Sequence, residues 1–373
     1  MNDSSLDYLK KALSLAEIRR GFCAPNPSVG AVVVKDDKII STGFHKRSGL
    51  PHAEVEAIKS LGDKARGAAL YVTLEPCCHF GKTPPCTDLI IQSGIKAVYY
   101  GLHDPNLAVC GKGIEQLQRA GVNCFLIELP EINAFYESYR YWIKHKRPWV
   151  TAKLALSLDG KIVGNEGKPV RLTGEGLRQY THERRKKSDA LLTTINTILT
   201  DDPKLNVRLQ GEEIKKPIYI LDTHLRLPLN ALIHQTAESI IVFHGNEADK
   251  KQQQRLMQKN IRCIEIARRS EGLDLNEVLD VIGNDGIHDL WIEAGGTCFQ
   301  SFFKRKSHQP CFNLYRSKNS WFNRHACFPT TIFFFRIFSG VASIWRRCYG
   351  RDSLLKSRRR RRLFISFLTS QII

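Results

Sequence analysis

Three soft metal ligands, His52, Cys77 and Cys86, constrain this chain more than any other feature, because residues far apart in sequence must meet at one point to hold one ion. They stand in His52-Ala53-Glu54, Pro76-Cys77 and Pro84-Pro85-Cys86. A tetrahedral zinc with three protein ligands keeps its fourth position for water, the catalytic rather than the structural arrangement. Glu54, two residues after the His, is placed to handle the protons of that water. A structural zinc would need a fourth ligand, for which Cys78 and His79 are available; Cys78, directly after Cys77, reads as a bystander.

The pattern around the ligands predicts a layered α/β domain. Ser4 to Arg20 is an amphipathic helix with a Ser4/Asp7 capping box and Leu6, Leu9, Leu13 and Ala16 on one face. Val29–Val34 and Lys38–Gly43 make two strands across the Asp36-Asp37 turn. His52 opens a helix to about Ser60, Ala69–Leu74 is a strand, Cys86 opens another helix, and Ala97–Leu102 is a strand. Strands alternating with helices give an α/β layer architecture. The ligands thus fall at helix starts, where negative charge is favoured and thiol pKa values fall.

Length and composition bound the rest. At 373 residues the chain has room for two domains. Eleven cysteines, odd in number and irregularly spaced, point to reduced, cytoplasmic thiols and metal use rather than disulfides, and the first forty residues hold no apolar run of signal-peptide type. Of the 56 Lys+Arg, 16 lie between Lys304 and Ile373, against a single acid there, Asp352. The net charge of +19 therefore belongs mostly to one end and not to a basic binding face.

The order H-x-E…P-C is the signature of zinc-dependent nucleobase deaminases. More specifically, the first 146 residues resemble the bifunctional deaminase–reductases of riboflavin biosynthesis. The resemblance is carried by Asn26-Pro27-Ser28-Val29-Gly30, Gly49-Leu50-Pro51-His52-Ala53-Glu54, Thr73-Leu74-Glu75-Pro76-Cys77, Gly81-Lys82-Thr83-Pro84-Pro85-Cys86 and Asp104-Pro105-Asn106. The eight-residue gap between Cys77 and Cys86 separates this pattern from deaminases with closely spaced cysteines. The resemblance implies a cytidine-deaminase-like α/β/α fold and hydrolytic deamination of a phosphorylated ribosylamino-pyrimidinone. It also implies a pocket lined by Asn26, His45, Lys82, Asp104 and Asn106. Lys and His suit a phosphate tail, and Asn and Asp suit a pyrimidine edge. Taken alone, Asn26 before Pro27 is also a turn signal.

Lys144 to Pro148 reads as a linker. Beyond it, strands (Trp149–Gly160, Ala190–Thr193, Pro217–Leu221, Ser239–Phe243, Ile261–Ile266, Leu290–Glu293) alternate with helices (Gly174–Arg185, Lys250–Lys259, Leu275–Ile282), the rhythm of a mostly parallel sheet. No G-x-G-x-x-G follows the first strand, so a conventional dinucleotide fold is not indicated. This half resembles the reductase domain of the same family, with a dihydrofolate-reductase-like α/β fold, through Lys153-Leu154-Ala155-Leu156-Ser157-Leu158-Asp159-Gly160, Thr197 to Pro203, and Glu293-Ala294-Gly295-Gly296. The resemblance implies that Ala155, Arg171, Thr197, Asp201, Thr223, Gly295 and Gly296 contact NADPH and that Arg185, Leu205, Arg208 and Glu293 hold the substrate. Where the family has Gly-Glu-Ser-x-Trp-Ile-Thr, this chain has Gly167-Lys168-Pro169-Val170-Arg171-Leu172-Thr173, so a Ser and a Trp are replaced by Pro169 and Arg171.

Resemblance stops near Phe303. The remainder shows no 3.6 or 2 period, carries the Arg358–Arg362 run, and reads as the product of a reading-frame change near codon 303, leaving the second domain incomplete at its carboxyl end. RNA binding by its Arg and Phe residues, a disordered extension and a membrane span are the other readings; Arg336 and Arg346 interrupt any span of the ~20 residues one requires. The expected organisation is a zinc deaminase over residues 1–146, an NADPH-dependent reductase over 147–303 and a basic tail over 304–373. The alternatives are a deaminase with an inactive second half, and a nucleic-acid-binding protein using the tail. The first choice implies a small phosphorylated pyrimidine substrate, no nucleic acid or membrane partner, and a cytoplasmic enzyme that self-associates.

Overall fold

In the strand Gly30–Lys35 every residue but the last is buried, so both of its faces need a cover. The computed structural model, which describes residues 3–107, 109–157, 174–270, 272–304, 312–316 and 330–337, supplies one on each side. The chain packs as two compact units. The first runs from the amino-terminal helix to Trp149 and takes in Lys186–Ala190 and Leu279–Leu290; the second holds the remaining described residues.

The first unit comprises α1 (Asp3–Ile18), β1 (Gly30–Lys35), β2 (Lys38–Phe44), α2 (Ala53–Ile58), β3 (Ala69–Val72), α3 (Cys86–Gln92), β4 (Ala97–Tyr100), α4 (Lys112–Arg119), β5 (Asn123–Leu126), α5 (Pro130–Phe135) and α6 (Glu137–His145). The sheet order is β2-β1-β3-β4-β5. β1 is antiparallel to β2 and β3, whereas β3, β4 and β5 are mutually parallel. Side chains alternate across a strand. Val32 and Val34 accordingly pack with Leu9, Ala12 and Ala16 of α1 and with Ile132 and Tyr136, while Ala31 and Val33 pack with Ala53, Ala57 and Ile58 of α2 and with Ile90, Ile114 and Leu117. The result is the expected α/β/α layering. α6 reaches His145, so the stretch read as a linker is half helical and only Lys146–Pro148 connects it to the next strand.

The second part begins with β6 (Trp149–Ser157), α7 (Glu175–Lys187), β7 (Ala190–Thr194) and α8 (Ile195–Asp201), followed by the hairpin β8 (Val207–Leu209) and β9 (Glu212–Ile214). Next come β10 (Pro217–Leu221), α9 (Ile233–Thr236), β11 (Ser239–His244), α10 (Lys250–Gln258), β12 (Arg262–Glu265) and the small hairpin β13 (Arg268–Arg269) and β14 (Gly272–Leu273). α11 (Leu275–Asn284), β15 (Asp289–Glu293), α12 (Gly296–Lys304), β16 (Phe312–Arg316) and β17 (Thr330–Ile337) complete the described elements. The main sheet runs β12-β11-β10-β7-β15-β6-β17-β16. β7, β10, β11 and β12 are parallel, as the alternating pattern predicts.

The tail departs from its sequence reading. β17 pairs antiparallel with β6, from Thr330↔Ser157 to Arg336↔Thr151, and β16 pairs with β17. Thr-Thr-Ile-Phe-Phe-Phe is rich in β-branched and aromatic residues, which suit a pleated surface even without alternation. No helix among the described residues is long and apolar enough to cross a membrane.

Close packing around β2 fixes where α2 can lie. A Cβ on Gly43 would come within 2.3 Å of Ala53 O and 2.5 Å of Ala57 N. Gly43→Ala is expected to lower stability by roughly 1–3 kcal/mol, the cost of overpacking, and to reduce zinc content, since α2 carries the first ligand. Urea denaturation and metal analysis measure both; an unchanged midpoint would contradict this contact.

Candidate functional site

Strand direction brings the candidate residues of the first unit to one edge. β3 and β4 are parallel, so the segments that leave them, Thr73 to Cys77 and Gly101 to Asn106, exit side by side; Glu75 N–H donates to Leu102 O at 2.9 Å. β1 is antiparallel to β3, so its beginning lies at that same edge, where Thr73 N–H donates to Gly30 O at 3.1 Å. The end of β2 returns there too, and His45 N–H donates to Val29 O at 2.9 Å. Four segments therefore surround a cavity of about 370 Å³ at the carboxyl ends of β3 and β4, the usual ligand position in open α/β sheets.

The metal ligands are at the cavity's base. His52 is the N-cap of α2 and Cys86 the first residue of α3. His52 Nδ1 lies 3.4 Å from Cys77 Sγ and 3.3 Å from Cys86 Sγ. Ligand distances of about 2.0–2.3 Å at a tetrahedral zinc place N and S roughly 3.6 Å apart, so the donor set fits the ion. Among the described residues no fourth His, Cys, Asp or Glu joins the group, so Cys78 and His79 do not close a structural site. The Cys77 thiol is drawn down to about 4, first by its hydrogen bond from Cys86 and then, against burial, by the His52 imidazole. The Cys86 thiol is pushed upward by donating that bond and by burial. A bound divalent cation deprotonates a coordinating thiol outright. Cys86 N–H, at the start of α3, also points at Cys77 Sγ at 3.4 Å.

Glu54 lies on the first turn of α2 with 4% exposure and lines the cavity. Burial lifts its carboxyl to about 7, opposed by the charge of His52. Asn26, His45, Lys82, Asp104 and Asn106 line the same cavity. Asn26 Nδ2 stands 3.3 Å from His45 Nε2. His45 also donates from Nδ1 to Pro51 O at 3.0 Å, and burial lowers its pKa. Both ring nitrogens of His45 are thus engaged within the protein. Asp104 accepts at Oδ1 from Asn106 N–H at 2.8 Å and from Tyr139 Oη at 3.4 Å; burial lifts it to about 6.

In the second unit, Arg185 on α7 donates from Nε and Nη2 to Glu293 at 2.6 and 3.0 Å and from Nη1 to Asn206 O at 2.8 Å. Burial would raise the Glu293 carboxyl, but Arg185 outweighs it and holds the group down at about 2. Arg208 stands beside this pair: its side chain meets Asn206 and its N–H donates to His182 Nδ1 at 3.1 Å. Burial and the two arginines lower His182 to about 4 and keep it neutral. Arg185 is buried against Glu293, whereas Arg208 is exposed. Leu205, buried next to Asn206, has φ 47°.

Thr197 and Asp201 lie on α8 directly after β7, and Thr223 follows β10, the parallel neighbour of β7. Gly295 precedes α12 with nothing within 4 Å of its Cβ position, and Gly296 opens that helix, so the turn leaves room for a phosphate to approach the backbone. Ala155 falls in β6; Arg171 lies outside the described residues.

Comparison with known proteins settles the family. The family model for the cytidine and deoxycytidylate deaminase zinc-binding region matches residues 3–102, and that for the RibD C-terminal domain matches 148–309. The riboflavin biosynthesis protein RibD of Aquifex aeolicus is 41% identical over 301 residues, covering 80% of this chain and 83% of its own. The chain belongs to the RibD family. Escherichia coli RibD is 34% identical over 310 residues, covering 78% of this chain and 81% of its own. Acinetobacter baumannii RibD superposes with a TM-score of 0.76 at 29% identity, over 91% of this chain and 99% of its own. The deaminase/reductase of Thermotoga maritima gives 0.74 at 32% identity, over 89% and 98%. As a RibD-family member the chain is a bifunctional deaminase and reductase of riboflavin biosynthesis that uses zinc and NADPH.

Sequence reasoning missed several neighbours of the RibD-type deaminase site. Glu75, Tyr139, Trp142 and Lys146 line the cavity, and Thr83 Oγ1 lies 3.4 Å from His52 Nε2. Since Nδ1 faces the sulfurs, Nε2–H donates to Thr83, the outer-shell contact that fixes a ligating imidazole. Thr83→Val is expected to weaken zinc binding by about 10–100-fold, the usual effect of losing such a partner. Competition with a chromophoric chelator reads it, and parental affinity would remove Thr83 from this role.

Proposed function

We propose that the first unit hydrolyses 2,5-diamino-6-(5-phosphoribosylamino)pyrimidin-4(3H)-one to the corresponding uracil and ammonia, and that the second reduces the ribosyl chain of that product to ribityl. The observation that carries this reading is a single cavity joining the His52, Cys77 and Cys86 donors, buried Glu54, the polar edge Asn26, Asp104 and Asn106, and the cation Lys82. The Thermotoga maritima relative is a diaminohydroxyphosphoribosylaminopyrimidine deaminase and 5-amino-6-(5-phosphoribosylamino)uracil reductase.

Zinc, held by His52, Cys77 and Cys86, supplies Lewis acidity toward water. Glu54 takes a proton from the water and returns it to the departing amine, a general acid/base role that suits a carboxyl poised near neutrality. Asn26, Asp104 and Asn106 orient the pyrimidine, and Lys82 meets the phosphate. In the second unit NADPH supplies the hydride. Thr197, Asp201, Thr223 and the Gly295-Gly296 turn hold it, with Ala155 and Arg171 assigned by resemblance. Arg208 meets the substrate phosphate, Arg185 and Glu293 brace that wall, and Leu205 packs beneath it. The working assignment is a deaminase over 1–146 and a reductase over 147–303, in a cytoplasmic homo-oligomer.

Residues 304–373 enter as the product of a reading-frame change near codon 303. Supporting this, the reductase family model ends at 309 and the curated relatives cover about 80% of the chain.

Two tests follow. Cys86→Ser and Glu54→Gln are each expected to cut ammonia release by about three orders of magnitude or more, the first with zinc lost and the second with zinc kept, while NADPH oxidation on supplied uracil intermediate continues. Deamination surviving both changes would end the assignment. For the tail, one of the other two forward frames beyond codon 303 is expected to encode a RibD-like ending; its absence from both would dismiss the frame change.

A further inference from the structure

We propose that Glu75 is a positioning residue of the deaminase site, whose carboxylate fixes the segment between β4 and α4 so that Asp104 and Asn106 face the substrate. The inference rests on the pocket reading above.

Glu75 stands two residues before the ligand Cys77, and its side chain has no exposure at all. Its Oε2 gathers three donors: His103 Nδ1 at 3.1 Å, Asp104 N–H at 3.3 Å and Gly111 N–H at 3.1 Å. These donors come from both ends of the segment that carries Asp104 and Asn106. The first two set the direction in which the chain leaves β4, and the third anchors the point where it enters α4.

The surroundings explain why the strut is an acid. α4 begins at Gly111, φ 76°, with no side chain of its own to cap it. A carboxylate from another segment meets the exposed N–H groups and the positive end of the helix there. The Glu75 carboxylate can only accept, so His103 Nδ1 carries the proton, and Tyr100 Oη, 3.1 Å from His103 Nε2, donates to that nitrogen. Gly113 closes the arrangement: a Cβ there would lie 2.2 Å from Pro76 O and 3.3 Å from Glu75 Oε1. The helix start is pressed against the two residues preceding the zinc ligand, leaving little freedom for the loop between them.

Asp104 is then held from three directions, through its N–H by Glu75, through its own turn by Asn106, and by the Tyr139 hydroxyl from α6. Oε1 of Glu75 has no hydrogen-bond partner among the described residues, so only one carboxylate oxygen is used. An amide carbonyl in its place can accept the same bonds, whereas a methyl group cannot.

The test is a double-mutant cycle on deamination by the zinc-loaded full chain, using the diaminopyrimidinone substrate, with metal content measured on every variant. Glu75→Ala is expected to raise KM about tenfold with kcat changed less than about threefold and zinc retained, and Glu75→Gln to restore KM to within about threefold of the parent. In an Asp104→Ala background, Glu75→Ala should raise KM by clearly less than it does in the parent, because one of the two groups it positions is gone. Additive KM effects, a Gln variant as impaired as Ala, or a fall confined to kcat or zinc content would overturn the proposal. Should Glu75→Ala not fold, His103→Ala takes its place, with a smaller rise in KM that shrinks further in the Asp104→Ala background; no rise, or an additive one, overturns it equally. An unchanged KM in Asp104→Ala alone would remove the pocket reading instead.

Discussion

The antiparallel pairing of β1 with β3, set against the parallel pairing of β3 with β4, decides where chemistry can occur in the first unit. Parallel neighbours release their following segments at one edge, and an antiparallel strand enters at that same edge. Reversing the first relation would send Asn26 and His45 to the opposite end of the sheet from Cys77, and reversing the second would part Asp104 from Cys77. The pairing is in turn enforced by side-chain volume. Gly30 has Ala12 O only 2.0 Å from where a Cβ would stand, and Gly43 has Ala53 O at 2.3 Å, so the helices on both faces lie almost in backbone contact with the sheet. Buried hydroxyls lock the entry to β1. Tyr136 Oη donates to Ser28 O at 2.9 Å and receives a bond from Thr73 Oγ1 at 2.6 Å, and Thr73 Oγ1 accepts from Gly30 N–H at 3.2 Å.

Burying acids at that edge carries a large desolvation cost, and the fold offsets it differently at each one. The thiols are matched to a cation. Glu75 is met by N–H groups at a helix start, and Asp104 by a turn of its own making. Glu54 is compensated least: burial lifts its carboxyl to about 7 despite the charge of His52, so it gains and loses its proton near neutrality. The second unit follows another scheme: Glu293 is paired bidentately with Arg185 and stays charged, a rigid wall more than a proton carrier.

The ligand set was legible in the sequence because its signals are local: His, Cys and a preceding Pro at helix starts need no tertiary information. The main strands were legible for the same reason, their apolar runs being continuous. Glu75 and Thr83 were not, although both lie inside motifs that were read. Their partners, His103, Asp104, Gly111 and His52, reach them only through strand pairing. α8 escaped because Ile195, Thr197, Ile198 and Thr200 are β-branched and disfavour helix, and packing of Ile195 and Ile198 into the core overrides that preference. Arg185 was assigned to substrate through the family resemblance, and the structure adds that it is bonded to Glu293 and Asn206.

The strand formed by Thr330–Ile337 has a further implication. It lies along β6, a strand whose other side is taken by β15. Main-chain pairing asks little of side-chain identity, so even foreign sequence rich in Thr, Ile and Phe can occupy such a berth. Removing it would expose a row of bare amide and carbonyl groups on β6, a ready template on which a second molecule could zip. With Thr330–Ile337 in place, β6 is paired on both sides and presents no free row of this kind.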